Sequence, residues 1–172
     1  MRVAYADPPY SGMAARYGRG EVNQVRLLAA LQNFDGWAMS CHVRGLLELA
    51  PHIPKGARVG AWCKTWVSFK KGVFPPYGWE PVIFKPARNV SIDDPASVGV
   101  RDWVVDPANM NGFFGSKPPK FCGWLFSILG MEPDDEFHDL FRGSGAVTKA
   151  WAQWRACAKA GGPLFVGQEP ST

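Results

Sequence analysis

Short apolar runs alternate with stretches of helical spacing along this chain, and that alternation limits the folds open to it. Residues 2–6 (RVAYA), 34–41 (FDGWAMSC), 57–63 (ARVGAWC), 80–85 (EPVIFK), 136–141 (EFHDLF) and 164–167 (LFVG) each read as a strand. Between them, Val22, Val25, Leu28 and Ala29 share one helical face, residues 43–50 and 146–158 read as helices, and residues 121–129 are apolar enough for a buried one. Strands interleaved with helices predict an α/β fold, a sheet flanked by helices. Such sheets bind ligands beyond the carboxyl ends of their strands. Residues 64–78 read as a polar and aromatic loop, and residues 87–116, rich in Pro, Gly, Asn and Asp, mostly as loop.

A length of 172 residues predicts a single domain, and 47% hydrophobic against 20% charged residues excludes the disordered class. No apolar run approaches a membrane span and no secretory leader is evident, so a cytoplasmic protein is expected. The four cysteines show no paired or metal-ligand spacing, so no metal is expected, and His42, His52 and His138 read as structural or exposed. Charge is uneven. Residues 1–86 hold eleven Lys and Arg against five Asp and Glu, whereas residues 87–172 hold eight against ten, which makes the N-terminal half the candidate polyanion-facing half. Arg16, Arg19, Lys70 and Lys71 are its candidate phosphate contacts. The acidic cluster at residues 132–136 reads as a solvated loop.

Two strand ends carry chemistry. After the first strand, Asp7-Pro8-Pro9-Tyr10 combines a carboxylate, a rigid turn that exposes carbonyls and an aromatic face. A carboxylate oxygen and the Pro8 carbonyl can together accept the two hydrogens of an exocyclic amino group while Tyr10 stacks on the ring that bears it. Residues 139–145 (DLFRGSG) place Gly143, Ser144 and Gly145 between a strand and a helix, a position where glycines admit a ligand to free backbone N–H groups. The second Pro-Pro-Tyr, at residues 74–77, has Phe74 where the first has a carboxylate and reads as a structural turn.

Together these segments resemble the S-adenosylmethionine-dependent DNA amino-methyltransferases in their permuted order, in which the catalytic motif precedes the cofactor motif. Asp7-Pro8-Pro9-Tyr10 is similar to the family's catalytic tetrapeptide. Residues 139–145 are similar to its cofactor loop, with Leu140 in place of the usual proline. Residues 115–118 (GSKP) resemble its Lys-Pro segment, residues 78–83 (GWEPVI) the strand between its halves, and residues 161–169 (GGPLFVGQE) a strand that ends in the acid for the cofactor ribose, here Glu169. The resemblance implies a Rossmann-like methyltransferase sheet with residues 1–86 as the catalytic half, 87–116 as a loop or reduced target-recognition region, and 117–172 as the cofactor half. It further implies Asp7, Pro8, Pro9 and Tyr10 as catalytic residues and Lys117, Pro118, Asp139, Phe141, Gly143, Ser144, Gly145 and Glu169 around S-adenosylmethionine. The expected acceptor is adenine N6 in DNA, in a bacterial or phage setting. The alternatives are cytosine N4 or an RNA amino group, or a non-catalytic nucleic-acid-binding or partner subunit; a homodimer or partner that supplies target recognition also fits.

Overall fold

The computed structural model describes residues 1–18, 20–67, 69, 71–90, 99–107 and 116–161, without the side chains of residues 16 and 17. Alternating burial builds β1 (Arg2–Ala6): Val3 and Tyr5 enter the core on one face of the sheet, Ala4 and Ala6 on the other. Beside it lies β2 (Gly36–Ser40), parallel to β1 and buried at every position, as expected of a central strand covered on both faces. The other strands are β3 (Arg58–Cys63), β4 (Trp79–Lys85), β5 (Trp103–Val105) and β6 (Glu136–Asp139), and the sheet order is β5-β3-β4-β2-β1-β6. Strand β6 runs parallel to β1, and β3 parallel to β5, whereas β4 is antiparallel to both β2 and β3.

Helices cover both faces. Asn23 starts α1 (Gln24–Leu31) by accepting the Arg26 N–H, and His42 starts α2 (Val43–Leu49) by accepting the Arg44 N–H at Nδ1. Leu28, Leu31 and Leu49 of these helices pack on Ala4, Trp37, Met39 and Ile83. On the opposite face, α3 (Pro119–Ile128) and α4 (Ala146–Lys159) pack Phe121, Leu125, Phe126, Trp151 and Trp154 against Val3, Tyr5, Val82 and Phe84. No helix among the described residues is long and apolar enough to cross a membrane.

Expected elements appear within two residues of their predicted bounds, apart from the strand at residues 164–167, which lies outside the described residues. One correction concerns residues 87–116, which contain β5. It pairs with β3, and just beyond it the Asp106 carboxylate accepts the Phe121 N–H at 3.0 Å, which satisfies a donor in the first turn of α3. Its strand is too short to show a period.

A second correction concerns the acidic cluster. Asp135 is buried, its side chain only 2% exposed, and it accepts the Met1 ammonium at 2.8 Å, both nitrogens of Arg88 at 2.7 and 2.8 Å, and the Glu132 N–H. Burial alone would raise this carboxyl, but those donors hold it well below the ordinary Asp value of 3.8. A carboxylate depressed in the fold contributes stability that is present above its unfolded value and is lost as pH falls. Asp135→Asn should therefore lower the unfolding free energy by about 3 kcal/mol near neutrality, as expected when one partner of a buried pair is removed. The gap from the parent should narrow as urea titrations are repeated at falling pH; a gap that stays constant would contradict the assignment.

Candidate functional site

The register of β1 against β6 sets Tyr5 opposite Asp139, and the Leu140 N–H returns to the Tyr5 carbonyl at 2.9 Å. Both motif-bearing turns therefore leave the sheet side by side, at the carboxyl ends of adjacent parallel strands. Two prolines end β1 because they cannot donate to a ladder. The turn they make is braced: Gln24 Nε2 donates to the Pro9 carbonyl at 3.2 Å and the Met13 N–H to the Tyr10 carbonyl at 2.8 Å. Among the described residues no donor is bonded to the Pro8 carbonyl.

Lys117 binds the parts together. Its ammonium lies 3.1 Å from Asp7 Oδ1 and 2.5 Å from Glu80 Oε1, with a side chain only 5% exposed, over the rings of Trp62 and Phe121 at 5.1 and 5.5 Å. Glu80 in turn accepts the Tyr10 hydroxyl at Oε2, 2.7 Å away, and faces Lys64 Nζ at 3.4 Å. Asp7 Oδ2 carries no bond to any described residue, and the Asp7 side chain is 25% exposed. One oxygen of Asp7 is thus fixed by Lys117 and the other is without a partner among the described residues.

The electrostatics follow from two carboxylates sharing one buried cation. Burial pushes the Asp7 carboxyl up and, with the help of the neighbouring Glu80 charge, outweighs the pull of Lys117, so that it rises to about 6. Burial would raise Glu80 as well, but Lys117 and Lys64 outweigh it and bring that carboxyl down to about 2. Lys117 stays charged because Asp7 and Glu80 more than offset its own burial. Burial and the Glu80 carboxylate push the Tyr10 phenol far above its ordinary value, so it remains a donor.

On the other strand, Asp139 Oδ2 accepts the Thr148 hydroxyl at 2.8 Å, and the glycine loop closes with the Gly145 N–H on the Arg142 carbonyl. Gly143 and Gly145 have φ of 46° and 74°, the left-handed region that glycine occupies without strain. A Cβ built on Gly145 meets nothing within 4 Å, so the loop has open space in front of it. Ser144 Oγ donates to Ser116 Oγ at 3.2 Å, and this bond brings the glycine loop to the Lys-Pro segment. Phe141 is half-buried against the α1 side of the core, and Pro118 is the N-cap of α3.

Three expected segments therefore meet at one rim: residues 7–10, 116–118 and 139–145. Lys117, grouped with the cofactor loop by resemblance, lies against Asp7. Lys71 is exposed on the loop between β3 and β4. Arg19, Lys70, Glu169 and the Arg16 side chain lie outside the described residues. Glu80 and Gln24 were not anticipated. An apolar cleft between α3 and α4, lined by Phe126, Ala150 and Trp154, contains none of these residues.

The fold has solved counterparts. A crystal structure of M1.HpyAVI in complex with SAM matches 88% of this chain and 77% of its own at a TM-score of 0.53 and 18% identity. A second crystal structure of M1.HpyAVI matches 88% and 75% at 0.51 and 16%. This chain has the Rossmann-like methyltransferase fold. No family model and no curated protein sequence matches it.

Asp7 gives the first test of the site. Its carboxyl is raised in the fold, so the folded state binds the extra proton between about pH 3.8 and 6, and the cost of ionising it there is fully present above 6. Asp7→Asn removes that cost. Its urea midpoint should exceed the parent's at neutral pH by the equivalent of roughly 1–3 kcal/mol. The difference should vanish near the unfolded Asp value; a destabilised Asn variant at neutral pH would refute the raised carboxyl.

Proposed function

We propose that this chain transfers the methyl group of S-adenosylmethionine to an exocyclic amino group of a nucleic-acid base, with adenine N6 in DNA as the acceptor. The observation that carries the reading is that Asp7, with Oδ2 unbonded among the described residues, ends β1 next to the strand that leads into the Asp139 glycine loop. The fold supports it, as does the M1.HpyAVI neighbour solved with SAM.

The residues present fit such a cofactor. Asp139 and the open left-handed turn at Gly143–Gly145 supply a carboxylate and approachable backbone N–H groups for its polar ends, next to the Ser116 hydroxyl. When bound there, S-adenosylmethionine supplies an electrophilic methyl on a sulfonium. Asp7 Oδ2 and the Pro8 carbonyl accept the two amino hydrogens of the target base. Two acceptors on one side of the nitrogen draw it toward tetrahedral geometry and aim its lone pair away from them. Lys117 fixes Asp7 through Oδ1, and Glu80 fixes Tyr10 through its hydroxyl, so that the ring is presented at a set angle for stacking. Stacking contributes about 1–3 kcal/mol, comparable to the cost of taking a base out of its duplex.

The nitrogen becomes cationic as it gains the methyl and sheds a proton afterwards. Asp7, ionised above about pH 6, is the acceptor in contact with it. The sign of the pH dependence follows. A protonated Asp7 loses acceptor strength, so kcat should fall as pH drops through about 6 and stay level above it, because Lys117 and Tyr10 do not titrate in that range. A kcat profile that is flat from pH 8 down to the unfolding limb would oppose the role given to Asp7.

Tritium transfer to DNA with Asp7→Ala should drop by about two to three orders of magnitude, the usual cost of losing one preorganised contact to a reacting group. Calorimetric affinity for S-adenosylmethionine should stay near the parent value. Undiminished transfer by this variant removes the assignment. Nucleoside mass spectrometry after incubation with DNA and with RNA reads the acceptor directly: N6-methyladenine in DNA is expected, and N4-methylcytosine or an RNA product would replace it.

A further inference from the structure

The loop at residues 64–78 contains Lys64, Lys70 and Lys71 and no acidic residue. It also exposes three large rings: Trp66 is 56% exposed, Phe69 84% and Phe74 95%. The structural-turn reading accounts for Pro75, Pro76 and Tyr77 but leaves these rings in water without a purpose. Single exposed hydrophobics are ordinary; three aromatics exposed within nine residues of one basic loop call for an occupant.

The loop is fastened to the candidate site at its base. The Lys64 N–H closes on the Gly78 carbonyl at 2.8 Å, and Lys64 Nζ faces the same Glu80 that holds Tyr10. From the other side, Tyr77 packs edge-on against His42 at 4.7 Å, and His42 packs against Tyr10 at 5.2 Å. Arg44 Nε donates to the Tyr77 hydroxyl at 2.9 Å. Tyr10, His42 and Tyr77 thus form a continuous run of rings from the site to the loop. Its position, positive charge and free ring faces match one chemistry, an unpaired nucleic-acid strand, whose bases stack on any aromatic face and whose phosphates are met by lysine.

We propose that the 64–78 loop holds the strand on either side of the target base, with Trp66, Phe69 and Phe74 stacking on its unpaired bases and Lys71 meeting a phosphate. This rests on the methyl-transfer reading for its target base, while the exposed rings and the charge carry the surface itself. A second copy of this chain or an apolar protein partner is the rival occupant.

Fluorescence anisotropy with a labelled, mixed-sequence single-stranded DNA tests it. The double variant Phe69→Ala, Phe74→Ala should bind at least about tenfold more weakly, with unchanged thermal midpoint and unchanged S-adenosylmethionine affinity. Phe74→Trp should bind within about twofold of the parent, because a larger ring face stacks as well. Lys71→Ala should reduce the slope of log affinity against log salt by about 0.7, one phosphate contact on a single strand. Parent-like strand binding by the double variant overturns the proposal, and so does a change in its oligomeric state by sedimentation, which would assign the rings to a second copy. A parent protein that methylates DNA while the double variant binds normally refutes the loop alone. A parent that binds the strand through these rings but takes up no S-adenosylmethionine refutes the methyl-transfer reading and leaves the surface standing.

Discussion

One buried ammonium organises the rim that carries the candidate site. Lys117 sits between Asp7 and Glu80 with almost no access to water, and the three together carry one negative charge in a place where an unpaired charge would cost several kcal/mol. The cation cannot satisfy both carboxylates equally. Glu80, with Lys64 and the Tyr10 hydroxyl as further partners, keeps its charge, while Asp7 is left strained toward its neutral form. That imbalance is the useful product of the network. A carboxylate held against its preference is a strong hydrogen-bond acceptor, and one oxygen of Asp7 has no partner among the described residues. Stability is given up at Asp7 and recovered elsewhere, in apolar cores on both faces of the sheet and in the Asp135 cluster.

Much of this end was legible in the sequence, for a physical reason. Asp7 follows a short apolar run and Asp139 a short stretch of strand character, and a strand that stops at two prolines or at glycines announces its end whatever the neighbouring strand is. Glu80 was not legible. It stands second in β4, at what a sequence reading takes to be the inert end of a strand. Strand β4 is the antiparallel member, so its amino end shares the rim with the carboxyl ends of β1, β2 and β3: Glu80 pairs with Trp62 and Val82 with Ser40. Direction is a property of the pairing, which local composition does not encode. A charged residue inside an apolar strand was the one available signal, since burial of a lone carboxylate demands a partner.

Strand β5 and the Asp135 cluster were missed for a related reason. Three residues cannot display a period, and the ligands of Asp135 come from residues 1, 88 and 132, which only the tertiary fold assembles. Gly60 in the middle of β3 was a readable hint. An isolated glycine in a strand marks close backbone approach, and a Cβ there would lie 2.7 Å from the Asp102 carbonyl, next to β5.

The two ends of the sheet also differ in how their charges are used, and this follows from the same topology. Asp135 and Glu136 lie where β6 begins, beside the first residue of β1, whereas Lys64, Lys71 and Lys117 lie beyond or beside the carboxyl ends. The acidic residues are partly spent on Met1, Arg88 and Lys159, so their end offers little to a polyanion. At the other end Lys117 and Lys64 are committed to Glu80, which leaves Lys71 among the described loop lysines to act outward. In the proposed reading, Lys71 and the exposed rings of the 64–78 loop would hold the strand, and Asp7 would set the geometry of the one amino group on which chemistry is done.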